Sequence, residues 1–346
     1  MRRYDLRRAV GVASARNVAV AAAYWLTGWG GLQLAVVHDQ VTPLWPPTGV
    51  ALAALLLLGP RVWPGIALGA FAVNVAIGPT IVAVLVIAAG NTAAPVVAYL
   101  LLLRRAGFQP SLRRLTDALA LVFIGGLGAT LISATVGSLT LLVAGVVTPA
   151  TLLSTWSVWW TGDAMGVLLV APLLLVMATA PPAWTRSPLR WVEAVGLLCA
   201  AVVAMTLAVR SDTSLLFPAY PFVVWAAVRF QLSVAMPCAI AGSLVATVAA
   251  GSDAGPFAGV NLAVTMVSLQ ALNFSLALVA LLLSAVISER DQAHHAIEDT
   301  CQQLSDALTQ LGAGNVMRLE HLDSIAKSRQ DPDPPSGGHR SWEARA

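Results

Sequence analysis

The chain has 346 residues, 58% of them hydrophobic and 11% charged, with a mean hydropathy of +0.77. Such a composition excludes an ordinary soluble domain and leaves a membrane protein. Residues 1–288 hold 14 Arg or Lys and 7 Asp or Glu, whereas residues 289–346 hold 6 and 10, so the overall +3 sums a basic region with an acidic one. Nucleic-acid binding, which needs basic residues clustered on one accessible face, finds no support there.

Paired arginines at the start of the chain precede the apolar run Asn17–Val37. That run is about 20 residues long, lacks a small-x-small cleavage site and is followed by many more, so it is expected to be an uncleaved first span. Candidate spans then follow at 18–38, 45–59, 62–77, 80–103, 116–146, 154–180, 190–209, 214–228, 231–250 and 260–287. With the N-terminus inside, thirteen of the fourteen arginines before residue 289 fall on the cytoplasmic side, leaving Arg210 outside. Short outer loops are expected at His38-Asp39, Gly78-Pro79, Gly145–Pro149, Ser211-Asp212 and Gly251–Gly259.

The expected fold is therefore all-α: a polytopic transmembrane helical bundle of about 8–10 membrane segments, including Pro-broken short helices, with a cytoplasmic C-terminal helical stub. Four regions are expected: a basic cytoplasmic N-terminus (1–16), a transmembrane domain (17–288), a cytoplasmic helix with a short coiled coil (289–327) and a disordered tail (328–346).

Two segments stand out. Leu44–Asn74 carries Trp45, Pro46, Pro47, Pro60, Trp63, Pro64 and Asn74. Prolines remove backbone donors, which a bilayer tolerates only where protein or a wet cavity supplies partners, so a broken, protein-enclosed element is expected. Gly65 and Gly69 are spaced for close helix packing. Trp156–Pro172 places Asp163 inside a predicted span, preceded by Trp156, Trp159 and Trp160 and flanked by Gly162 and Gly166. A carboxylate at a helix centre costs roughly 2.5–3.5 kcal/mol on insertion scales and usually faces the bundle interior or a water-filled cavity. It is either a structural partner of Asn74 or Asn91, a helix cap, or a ligand or proton site. Gln33, Asn74, Asn91, Gln270 and Asn273 are expected to hydrogen-bond between helices, and Arg229 to snorkel to the headgroups.

In the tail, Ile297, Cys301, Leu304, Leu308 and Leu311 repeat with spacings of 4, 3, 4 and 3, the apolar repeat of a two-stranded coiled coil and so a candidate homodimer contact. Gly312 and Gly314 are expected to interrupt the helix, with a second one over Val316–Lys327. His294 and His295 sit where a sensor kinase would begin its dimerisation helix, but the 51 residues after His295 are too few for an ATP-binding domain. The three cysteines form no C-x-x-C pair, no metal site or cofactor is indicated, and Gly125–Thr130 lacks the lysine of a phosphate loop. With no Ser/His/Asp set, HExxH or paired carboxylates, enzyme chemistry is unsupported.

The two segments, in this order, resemble the membrane-associated sensor domain family, the first of the MASE classes. The resemblance rests on Trp45, Pro46, Pro47, Gly49, Ala51, Leu52 and Ala53, then Gly59, Arg61, Trp63, Pro64, Gly65, Leu68, Gly69, Ala70 and Asn74. It continues through Trp156, Trp159, Trp160, Gly162, Asp163, Gly166 and Pro172 to the run Val224–Phe230, covering roughly residues 18–290. It implies a multi-pass bacterial inner-membrane input domain with about eight spans, joined through a helix after the last span to a histidine kinase or diguanylate cyclase. Here only the helical stub follows, so the signal is expected to pass to a separate protein. The function expected is sensory: an unknown small ligand or stimulus bound within the bundle by Asp163, Trp156, Trp159, Trp160, Asn74, Asn91, Trp45, Pro46 and Pro47. The alternatives are a proton-coupled transporter of a small solute and a non-ligand scaffold for a partner kinase.

Overall fold

The computed structural model describes residues 2–33, 42–104, 107–179, 187–211 and 216–330, and every regular element among them is helical. In chain order they are α1 (Arg2–Leu32), α2 (Pro46–Leu58), α3 (Trp63–Asn74) and α4 (Ile81–Arg104). Then come α5 (Leu115–Ala120) and α6 (Thr130–Val143), joined by a π-helical stretch at Leu121–Gly128, and α7 (Leu152–Met165) and α8 (Ala171–Thr179), joined by another at Gly166–Val170. The rest are α9 (Pro188–Arg210), α10 (Tyr220–Phe230), α11 (Leu232–Gly251), α12 (Leu262–Leu278), a third π-helical stretch at Val279–Leu283, and α13 (Ser284–Gln330). The ten predicted apolar runs thus each find a helix. Among the described residues, six helical stretches are long and apolar enough to cross a membrane, while α2 and α10 are shorter apolar helices. The predicted outer loop at His38-Asp39 and the tail after Gln330 lie outside the described residues.

The Pro-rich segment folds as expected, for a visible reason. Pro46 and Pro47 open α2 in its first turn, where a missing N–H costs nothing because that donor has no helical partner. Gly59, at φ 85°, ends α2 and lets Pro60–Val62 turn the chain into α3. α2 is buried from Pro47 to Ala53 and again at Leu55, packed on α1, α4, α7 and α8, so it is a short helix sheltered by protein rather than by lipid. α3 packs on α1 through the spaced glycines. The backbone of Asn17 comes so close to Gly65 that a Cβ there would lie 2.4 Å from the Asn17 carbonyl, and Asn17 closes the contact by accepting from the Gly65 N–H at 2.7 Å. Gly69 leaves room for Tyr24, which is fully buried.

α9–α12 complete the first of two units, residues 1–290, with α11 against α8 and α12 against α7. Large apolar side chains such as Leu85, Leu139, Leu153, Leu207 and Val267 point outward, the surface a lipid-facing bundle needs. Arg229 is ion-paired: its Nε lies 3.1 Å from Glu193 on α9, which accounts for its position at the end of α10. Asp117, 2% exposed, lies in the first turn of α5, where a carboxylate suits the helix dipole. The α5 N-terminus is also capped by Glu289, which accepts from the Leu115 N–H at 2.9 Å.

The second unit comprises residues 291–346. There α13 runs unbroken through Gly312 and Gly314, against the predicted interruption. A glycine costs a helix only about 1 kcal/mol relative to Ala, which good helix formers on either side can absorb. Ile297, Leu304 and Leu308 are each about 60% exposed, and Cys301 is exposed with them. The side chain of Leu311 lies outside the described residues.

Candidate functional site

The site is built where α2 meets α7. A Cβ on Gly166 would fall 1.9 Å from the Trp45 carbonyl, and one on Gly49 would fall 2.1 Å from the Gly166 carbonyl, so the two backbones touch with nothing between them. The Trp45 N–H donates to the Gly162 carbonyl at 3.0 Å, pinning the entry of α2 onto α7. This contact needs glycine on both helices, which is why the two conspicuous sequence segments each carry it.

Asp163 projects from α7 just before the midpoint of the 28-residue span Leu152–Thr179 and is 1% exposed. Its Oδ1 accepts from the Thr48 hydroxyl on α2, and its Oδ2 is hydrogen-bonded to the Ser133 hydroxyl on α6. No Lys, Arg or His pairs with it among the described residues. Hydrogen bonds to a charged group contribute about 1.5–3 kcal/mol each, so two of them are of the size of the insertion cost and hold the carboxylate inside. The Asn74 amide, one of the partners considered for Asp163, donates to the Ala70 carbonyl at 2.8 Å.

Beside this carboxylate lies a cavity of about 40 Å³ lined by Thr42, Trp45, Asn74, Asn91 and Trp159, with Ile77, Gly78, Ile87 and Leu141 completing the wall. Trp159 reaches it by lying over Gly137 of α6, where a Cβ would meet the indole at 2.4 Å. Tyr24, from α1, stands next to Asp163, Trp45 and Asn91. Its hydroxyl and the Asn91 side-chain oxygen are both buried without a hydrogen-bond partner. Asn91 is also four residues before Pro95, so its backbone carbonyl lacks the N–H that a regular helix would offer it.

Of the predicted site residues, Trp45, Asn74, Asn91 and Trp159 line the cavity, and Asp163 lies against Trp159. Pro46 and Pro47 are adjacent and act as scaffold, setting the first turn of α2. Trp156 and Trp160 do not line the cavity: they stack on each other at 5.6 Å, and their indole N–H groups donate to Thr135 Oγ1 and the Leu127 carbonyl. Tyr24, Thr48, Ser133 and Thr42 were not foreseen. Thr48 sits between Pro47 and Gly49 of the first segment, so its place beside the prolines was the available signal. The tail residues Ile297, Cys301, Leu304 and Leu308 are exposed within the second unit.

One connection leads from the site toward the last span. Gln270 on α12 donates to the Pro43 carbonyl at 3.2 Å, in the same short stretch that supplies Thr42 and Trp45 to the cavity. A larger groove of about 670 Å³ between α3 and α4 is lined by Trp63, Leu68, Phe71 and other apolar residues, with Thr92 its main polar lining, and suits a lipid chain better than a polar ligand.

Compared with known proteins, the MASE1 family matches residues 16–291. No curated protein and no solved structure matches the chain.

Proposed function

Because the chain belongs to the MASE1 family of membrane sensory domains, we propose that the Asp163 cluster is where its stimulus is read and that α13 passes the result to an output protein. The chain is a multi-pass membrane protein of a sensory rather than a catalytic family. The observation that carries the finer reading is the convergence of both motif segments on one buried carboxylate, beside a cavity with two buried polar atoms that have no partner. Buried polar groups are satisfied in the great majority of proteins, and exceptions concentrate where something binds or moves. Gln270 supports the relay, since it ties the cavity stretch to α12, which continues through Val279–Leu283 into α13. The arginine pattern supports an inner-membrane location with both termini cytoplasmic. The exposed stripe at Ile297, Cys301, Leu304 and Leu308 suits pairing with a second copy and presentation to a kinase or cyclase.

The test compares two chromosomal lesions in the native cell, Asp163→Asn and removal of residues 291–346, by transcript profiling with protein levels matched by immunoblot. A sensory relay makes the two profiles coincide and differ from wild type. If removal of the tail is silent while Asp163→Asn abolishes pH-dependent solute uptake into proteoliposomes, the proposal is overturned in favour of transport.

A further inference from the structure

We infer that the Asp163 cluster binds one small monovalent cation, with Asp163, Tyr24 and Asn91 as its oxygen ligands and the cavity at Trp45 and Trp159 as its approach. The inference deepens the sensory reading by naming the class of stimulus, and it rests on that reading for its physiological meaning but not for its chemistry.

Three observations carry it. The first is charge. Asp163 is buried without an ion pair among the described residues, and an unpaired buried carboxylate is neutralised by taking up a proton or by a cation beside it. One carboxylate balances one positive charge. No group of three or more His, Cys, Asp or Glu is placed to hold a metal ion among the described residues, which argues against a divalent ion. The second is the ligand set. Asn91 is 5% exposed and its unpartnered side-chain oxygen belongs to a residue that lines the cavity, while the Tyr24 hydroxyl, fully buried, is likewise unpartnered next to the carboxylate. Carboxylate, amide carbonyl and hydroxyl oxygens are the donors that hard cations prefer. The third is size: about 40 Å³ admits a species of the dimensions of one or two waters and no drug-sized organic molecule, whose pockets run to about 300–1,000 Å³.

The cluster also has two self-consistent hydrogen-bond arrangements. The Ser133 hydroxyl lies at bonding distance from both the Thr130 carbonyl, at 3.0 Å, and Asp163 Oδ2, but has one proton to give. With the carboxylate ionised, Ser133 donates to Asp163. With Asp163 protonated on Oδ2, the acid donates to Ser133, and Ser133 donates to Thr130. Proton and cation therefore compete for the same charge. Other groups do not complicate that competition: α2, α6, α12 and the stretch Leu121–Gly128, all packed on α7, contain no titratable residue, and Tyr24 of α1 is the neighbouring one.

The test uses the purified full-length protein in lipid nanodiscs at pH 8, with N-methyl-glucamine chloride replaced stepwise by sodium, potassium or ammonium chloride at constant ionic strength. Tryptophan fluorescence and the thermal unfolding midpoint are followed together. The expected result is a saturable change with at least one of the three cations, weakened at least tenfold on lowering the pH to 5 and absent in Asp163→Asn. Tyr24→Phe keeps the ring that packs against Gly69 and removes the hydroxyl alone, so it should fold normally and weaken the apparent affinity at least tenfold. The inference is overturned if no cation produces a saturable change, if Asp163→Asn retains it while folded, or if pH alone changes the signal with no cation effect, which would make the stimulus a proton. In each of those cases coincident lesion profiles would still uphold the sensory reading, so the two failures are separable.

Discussion

Thr48 and Ser133 reach Asp163 from helices 115 and 30 residues away in sequence, and each offers one of its carboxylate oxygens a hydroxyl. Thr48→Val keeps the shape of the side chain and removes a donor to a buried charge. It should lower unfolding stability by about 1–3 kcal/mol, read as a fall in thermal midpoint in nanodiscs. Combining it with Asp163→Asn should cost less than the sum of the two single changes, because the partners act as a pair. A full additive loss would show that Thr48 acts through packing instead. Asp163 was legible in the sequence because a carboxylate within an apolar run is rare and costly. Thr48, Ser133 and Tyr24 were not, since hydroxyl residues are common in apolar helices and nothing local in the chain says which of them meet.

At the scale of elements, the site exists because α2 and α7 touch backbone to backbone. Gly166→Ala would place a methyl 1.9 Å from the Trp45 carbonyl, an overlap that only separation of the helices relieves, whereas Gly30→Ala on α1 meets nothing within 4 Å. The expected outcome is loss of the folded, monodisperse protein for Gly166→Ala in size-exclusion chromatography, with Gly30→Ala indistinguishable from wild type. Equal behaviour of the two would refute the close contact. The proline and glycine pattern made the broken, enclosed character of α2 readable, since prolines at a helix start and a glycine at its end have fixed backbone consequences. The π-helical stretches were not readable. Gly166–Val170 and Leu121–Gly128 depend on tertiary partners, such as the Trp160 indole that donates to the Leu127 carbonyl, and local composition does not encode those. The helix through Gly312 and Gly314 shows the converse, a local glycine signal too weak to break a long helix.

For the whole molecule, the ten apolar runs and the arginine distribution agree on one alternation of segments, which is why the bundle was readable while its internal contacts were not. The proposed homodimer is tested at this scale. In the repeat formed by Ile297, Cys301, Leu304 and Leu308, Cys301 takes the position that faces its own copy in a parallel two-stranded coil. Cys238 is buried and Cys199 can be replaced by Ser, which leaves Cys301 as the exposed thiol. The most direct measurement is the yield of Cys301 disulfide-linked dimer in native membranes treated with copper phenanthroline, compared between the Cys199→Ser protein and the same protein carrying Asp163→Asn. A substantial yield that changes at least twofold with the Asp163 substitution, at equal levels of folded protein, is the expected result. A yield that is negligible in both, or equal in both, would contradict a relay from the buried carboxylate to the tail.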